Sequence, residues 1–263
     1  MADISNIVGA LLSMLAPGEK VAEPSASRRR LTALLTERPA RNLPKGAWPL
    51  LSQLWERESA EKPFTLAAAL PRVSANGQWT DRVSLWRGDI TRLDAGAIVN
   101  AANSGMTGCY VPFHACVDNA IHTAAGPWLR RACEEVMARR KRPEPVGTAT
   151  ATEAFFLPSE YVLHTVGPVV RGGVPSSREE AALASCYRAC LDEALKLGLA
   201  SVAFCAISTG VFGYPKRDAA LASLRSIEEF LTAHLEAPLH VVVVAYTTDD
   251  EAVYHAALRE MGA

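Results

Sequence analysis

The sequence has almost no net charge: 27 Lys and Arg stand against 28 Asp and Glu, a formal charge of −1. That excludes a basic field able to gather nucleic acid. Any phosphate the protein holds must be met by local backbone N–H groups or a metal ion. Long hydrophobic runs are lacking too. The apolar run Ile7 to Leu15 is well short of the about 20 residues that span a bilayer. A secretory leader would carry a basic start, and Asp3 is the only early charge. The run reads as an amphipathic surface helix, and the expectation is a soluble cytoplasmic protein with no membrane and no nucleic-acid partner. Six cysteines in 263 residues are too sparse for a disulfide scaffold. Cys133, Cys186, Cys190 and Cys205 fall in apolar or helical contexts and read as buried thiols. There is no internal repeat and no low-complexity segment.

What is present divides the chain in two. Residues 1–80 read as a helical extension. Leu50, Leu51, Leu54 and Trp55 recur at helical spacing, and Pro39, Pro44, Pro49, Pro63 and Pro71 punctuate the segment. The character changes after Asn76-Gly77, and residues 81–263 alternate strands with helices. Strands are expected at Val83–Trp86, Ala97–Asn100, Thr148–Thr152, Tyr161–Val166, Ser201–Ile207 and His240–Tyr246. Helices are expected from near Ala115 to Ala125, then over Pro127–Arg140, Arg178–Leu197, Arg217–Leu235 and Val253–Met261, with Gly198 closing the third of these. This order argues for an α/β sheet covered on both faces.

Four constellations carry chemistry. Gly88-Asp89-Ile90-Thr91 follows the first strand. A carboxylate at a strand's C-terminal end can accept from an exocyclic amine, and it can equally cap a turn or helix. Asn100-Ala101-Ala102-Asn103 ends the second strand. Its small residues admit a ligand to the backbone and its Asn side chains suit ribose hydroxyls, although an ordinary Asn-rich turn looks the same. Ser208 to Pro215 joins a strand to a helix, where open α/β sheets bind ligands. Gly210 and Gly213 would let successive N–H groups converge on a diphosphate; the alternative is a plain turn with Phe212 in the core. Cys109, His114 and Cys116 are spaced C-x4-H-x-C. Thiolate and imidazole are the donors zinc prefers, and three ligands with one open position is the pattern of catalytic zinc. Spacing alone leaves a Cys109–Cys116 disulfide or unrelated buried side chains as alternatives.

In this order the pieces resemble the macrodomain family, over roughly residues 83 to 263. Gly88–Thr91, Asn100–Asn103, Val117-Asp118-Asn119-Ala120-Ile121-His122, His164-Thr165-Val166-Gly167-Pro168 and Ser208–Pro215 match its ADP-ribosyl hydrolase branch. One stretch departs. Where that branch has a glycine-rich loop, this chain has Cys109, His114 and Cys116. In this, and in its helical extension, it is similar to the zinc-dependent macrodomains found beside microbial sirtuins.

The resemblance implies a three-layer α/β/α fold with a mixed central sheet. It implies Zn2+ held by Cys109, His114 and Cys116, and hydrolysis of the ester joining ADP-ribose to an acidic side chain. Asp89 and Ile90 would meet the adenine, Asn103 the distal ribose, and Ser208, Thr209, Gly210, Val211 and Phe212 the diphosphate and ribose. Asn103 and Asp118 would be the catalytic pair, while His122 and His164 read as packing residues. The partner implied is an ADP-ribosylated protein, with a lipoyl-carrier-type protein modified by a sirtuin as one candidate. A non-enzymatic reader of ADP-ribose and an O-acetyl-ADP-ribose deacetylase would use the same pocket.

Overall fold

A computed structural model describes residues 3–19, 23–74 and 78–263. The change of character at Asn76-Gly77 lies outside the described residues. Three helices come first: α1 (Ile4–Leu15), α2 (Pro24–Thr36) and α3 (Ala47–Ala60). They share an apolar cluster of their own. α1 is amphipathic, as its sequence suggested: Ile7, Val8, Leu11, Leu12 and Leu15 are buried against Leu31 and Leu34 of α2 and Leu51, Leu54 and Trp55 of α3, while Ser5, Asn6, Gly9 and Ser13 are exposed. A free amphipathic helix would leave that stripe wet, and two neighbouring helices remove it from water.

The remainder runs β1 (Thr65–Leu66), β2 (Val83–Arg87), β3 (Leu93–Asp94), β4 (Ala97–Ala101), α4 (Val117–Ala125), α5 (Pro127–Arg140), β5 (Ala149–Glu153), β6 (Tyr161–Thr165), α6 (Ser177–Lys196), β7 (Ser201–Phe204), α7 (Lys216–Ala233), β8 (His240–Ala245) and α8 (Thr248–Glu260). Six strands form one sheet in the order β2-β8-β7-β4-β6-β5. All neighbours are parallel except β5, which runs antiparallel to β6. The sheet is therefore mixed, and helices cover both faces to give three α/β/α layers. β8 shows why: every residue of His240–Ala245 is buried, and such a continuous apolar run fits only a strand packed on both sides. The short β1 pairs in parallel with β3, away from the main sheet.

The helical extension is fixed to this body at several points. Trp128 of α5 enters the extension's apolar cluster and meets the rings of Trp48 and Trp55 edge-on. The Trp55 Nε1–H donates to the Ala124 carbonyl at the end of α4 at 3.1 Å. The Glu134 carboxylate accepts from the backbone N–H groups of Ala40 (2.8 Å) and Arg41 (3.0 Å).

Two expected element bounds move by three residues or more. α8 starts at Thr248 rather than Val253, because Thr247 and Asp250 form a reciprocal capping box and the polar run is a helical first turn. β7 ends at Phe204 rather than Ile207, and that early end opens the site.

Candidate active site and metal centre

β4 pairs with β6 at five successive positions, from Ala97↔Tyr161 to Ala101↔Thr165. With β7 it pairs only at Ala97↔Val202 and Ile98↔Ala203. Beyond these the two strands part, and their C-terminal ends leave a gap in mid-sheet of the kind that binds ligands in open α/β folds. A cleft of about 1130 Å³ opens there. Ala101, Ala102, Cys205 and Ala206, all small, line it where the strands diverge.

Each site residue singled out from the sequence lines this cleft: Asp89, Ile90, Asn103, Cys109, His114, Cys116, Asp118 and Ser208 through Phe212. Asp89 serves as a cap as well. Its Oδ1 accepts from the Thr91 N–H (2.9 Å) and hydroxyl (2.8 Å), and it starts the single 3-10 turn Ile90–Arg92. Its side chain is exposed, so Oδ2 stays available to a ligand. The 208–213 loop closes on itself: Gly213 N–H donates to Gly210 O, Tyr214 N–H to Ser208 O and Val170 N–H to Phe212 O. Among the described residues, no backbone N–H of Thr209, Gly210, Val211 or Phe212 donates to a backbone carbonyl. Four successive free donors on one loop make an anion cradle. Gly167, which the sequence offered only as part of a motif, allows this loop its position. A Cβ there would sit 2.0 Å from Ser208 Oγ and 2.7 Å from Ile207 Cγ2.

The donor atoms of Cys109, His114 and Cys116 all lie within 4.8 Å of one another. Both cysteines are free thiols. Cys116 is the N-cap of α4, and its Sγ accepts from the Asn119 N–H at 3.4 Å. Burial pushes this thiol up to about 11, against the lowering effect of that N–H bond and with a further upward push from Cys109. His114 Nδ1 is buried and has no hydrogen-bond partner. Two facing thiols and an orphaned imidazole nitrogen fit a borderline-soft divalent cation, which would replace the thiol protons and satisfy the ring. Two residues that the motif reading did not assign hold the loop. Asn119 Nδ2 donates to the Val111 carbonyl at 2.9 Å. Arg130, buried on α5, donates to the Cys109 carbonyl (3.3 Å) and lies 4.2 Å over the Tyr110 ring. Phe113 takes a left-handed conformation (φ 59°) that bends the loop between its donors.

Asp118 sits in the first turn of α4 and is buried. Its Oδ1 accepts from the Asn100 side-chain amide at 2.8 Å, and Asn103 Nδ2 lies 3.5 Å from Oδ2. Burial raises its pKa to about 6, and the Asn100 bond and the Arg130 charge pull the other way. Such a value leaves the carboxylate able to take or give a proton near neutrality. Behind it, Asn100 also faces His164 Nδ1 at 3.2 Å, and His164 Nε2 lies 2.9 Å from Thr152 Oγ1. An amide N–H at Nδ1 makes that nitrogen the acceptor, so His164 is the neutral tautomer donating from Nε2. His122, Cys133 and His164 form a second cluster of donor atoms within 4.8 Å, fully buried. His122 packs under Gly108, whose added Cβ would touch the ring at 2.8 Å, and its Nε2 lies 3.6 Å from Asp118 Oδ1.

The Macro domain family model matches residues 99–222. Over 227 residues the chain is 41% identical to a protein-ADP-ribose hydrolase of Treponema medium, covering 86% of this chain and 85% of that one. The chain belongs to the macrodomain family of protein-ADP-ribose hydrolases. Solved macrodomain structures superpose on it. The Trypanosoma brucei macrodomain in complex with ADP-ribose does so with a TM-score of 0.67 and 30% identity, covering 95% of both chains. The Oceanobacillus iheyensis macrodomain with ADP gives 0.64 at 35% identity, over 73% of this chain and 95% of that one. The trypanosomal match covers 95% of this chain and therefore extends beyond residues 81–263 into the N-terminal segment.

Proposed function

We propose that this macrodomain is a zinc-dependent hydrolase that removes ADP-ribose from mono-ADP-ribosylated proteins by cleaving its ester to an acidic side chain. The observation that carries the reading is the meeting of three features in one cleft: a loop of free N–H donors, a buried carboxylate at Asp118, and a Cys-His-Cys donor set. The relative in Treponema medium is a protein-ADP-ribose hydrolase and the trypanosomal macrodomain holds ADP-ribose, which supports the same ligand here.

In this reading Asp89 accepts from the adenine amine beside Ile90. The N–H groups of Thr209 through Phe212 meet the diphosphate, with Ser208 at its edge. Asn103 orients the distal ribose, and Asp118 accepts the proton of the attacking water or of a ribose hydroxyl. Cys109, His114 and Cys116 hold Zn2+, which when bound supplies Lewis-acid polarisation of an oxygen at that end of the cleft. The products are ADP-ribose and the free carboxylate of the modified side chain. A lipoyl-carrier-type protein modified by a sirtuin is a candidate substrate. Among the described residues, no helix is long and apolar enough to cross a membrane.

The test is release of free ADP-ribose from an ester-modified protein, with and without a zinc chelator. Release that chelation abolishes and zinc restores is the expected result. Undiminished release after metal removal would sink the zinc role, and tight binding without any release would make the protein a reader.

A further inference from the structure

The cleft exceeds the usual size of a small-ligand pocket. Pockets that enclose a small ligand run to about 300–1,000 Å³, and this one reaches about 1130 Å³. The extra wall comes from outside the sheet. Arg28 and Thr32 of α2, Trp55, Glu58 and Ser59 of α3, and Lys62 just after it line the same cleft as the donor loop and Asp118. This wall is rigid, because Trp55 and the Ala40–Arg41 turn are bonded to α4 and α5. Arg28 is fixed within it by two bonds to the Glu58 carboxylate (2.6 and 2.7 Å) and one to Thr32 Oγ1.

The rim where α2 meets the Cys109–Cys116 loop has the composition of an interface. Tyr110 (37%), Val111 (58%) and Phe113 (46%) are exposed on the loop between the metal donors. Arg29 lies 4.1 Å over the Phe113 ring and is itself exposed. Aromatic residues and Arg are what protein interfaces concentrate. Charge then selects the partner. Of the three consecutive arginines on α2, Arg28 pairs with Glu58 and Arg30 with Glu19. Arg29 has no carboxylate partner among the described residues, and neither does Lys62. The wall and rim keep positive charge that the protein itself does not cancel, although the whole chain is nearly neutral.

We propose that the Arg29–Phe113 rim is the docking surface for the protein that carries the ADP-ribose, and that it selects an acidic segment flanking the modified side chain. This rests on the hydrolase reading above: if the distal ribose points at Asn103 and Asp118, the attached protein leaves the cleft over the Cys109–Cys116 loop. A carboxylate there meets an oriented guanidinium already held on an aromatic face, so little order is lost on binding. The N-terminal helices then act as a substrate-reading element, and selectivity between modified proteins resides outside the ADP-ribose pocket.

The experiment uses the full chain and two synthetic peptides, each bearing ADP-ribose on one Glu and flanked by Asp or by Lys. Release of ADP-ribose gives KM and kcat, and calorimetry gives binding of each peptide and of free ADP-ribose. Wild type is expected to favour the Asp-flanked peptide in KM by about three- to tenfold at low salt, with similar kcat. R29E should reverse the preference, and Arg29→Ala should abolish it. Both should keep the wild-type affinity for free ADP-ribose and the wild-type melting temperature. Equal binding of the two peptides by wild type, or an R29E loss that appears equally for free ADP-ribose, overturns the docking surface. Peptide binding with the expected preference but no release by wild type overturns the hydrolase reading and leaves the docking surface standing.

Discussion

The Asn100 side chain donates a 2.8 Å hydrogen bond to Asp118, joining the end of β4 to the first turn of α4. Asn100 is fully buried, so it orients the carboxylate without itself reaching the cleft. Hydrogen bonds to charged groups contribute about 1.5–3 kcal/mol. Asn100→Ala is therefore expected to lower the rate of ADP-ribose release by about 10- to 100-fold while the affinity for ADP-ribose changes little. Asp118→Asn should cost about 10²–10⁴-fold, the range of a lost general acid or base. Steady-state kinetics beside calorimetry separate the two effects, and an Asn100→Ala enzyme with full kcat would show that the carboxylate needs no such support.

Metal content is the second measurement. Cys109→Ser, His114→Ala and Cys116→Ser are each expected to remove most of the bound zinc, read by elemental analysis of the purified protein. Activity should fall with it. Chelation of the wild type should lower its melting temperature, since binding energy at a preformed site stabilises the folded state. Stoichiometric zinc retained in all three variants would place the metal elsewhere.

Gly167→Ala tests the diphosphate loop. The new Cβ would fall 2.0 Å from Ser208 Oγ and 2.7 Å from Ile207 Cγ2, so the loop must move. Overpacking of this kind costs about 1–3 kcal/mol. ADP-ribose affinity is expected to drop about tenfold or more, with the far-ultraviolet spectrum unchanged. Wild-type affinity in this variant would mean that the loop does not touch the ligand.

Acid should destabilise the fold through three buried histidines, and burial holds His122 well below its usual value. Burial lowers His164 to about 3 and His240 to about 4, from 6.5. Between those values and 6.5 the unfolded chain binds protons that the folded one does not. The stabilisation is complete above about pH 6.5 and is lost as pH falls towards 4, by at most about 1.4 kcal/mol per pH unit for each group. Melting temperature should fall through this window. His240→Gln, which can keep a bond to Ser84, should show a shallower fall. A wild-type curve as shallow as the variant's would remove His240 from the account.

Local patterning carried much of this architecture. Pro127 at the start of α5 marked a helix whose two ends are the expected ones. Gly198, left-handed at φ 68°, follows the end of α6 as anticipated. Asp89, Asn103 and Ser208 to Phe212 were readable because they follow strand ends, where backbone and side chain are both free to serve a ligand, and Cys109, His114 and Cys116 were readable from their spacing. What the sequence did not disclose depends on distance along the chain. Nothing in α5 announces that Arg130 holds the Cys109 carbonyl, because an Arg on a helix is ordinarily a solvated residue. Nor does the spacing of α2 reveal that it walls the cleft, since that follows from how the extension docks through Trp55, Trp128 and Glu134. The early end of β7 is likewise a pairing effect: Cys205 to Ile207 are as apolar as a strand, yet they have left β4 behind.

Cys116 is at once a donor of the proposed metal site and the N-cap of α4, two residues before Asp118. One sulfur atom is thus shared between the proposed coordination sphere and a helix start, and Asn119 binds both that sulfur and the Val111 carbonyl. The two halves of the chemistry are geared together. An ion of a different radius, an oxidised thiol or a shortened loop would shift the seat of the carboxylate by the same movement. In the proposed hydrolase, replacing the third donor would therefore also re-aim Asp118.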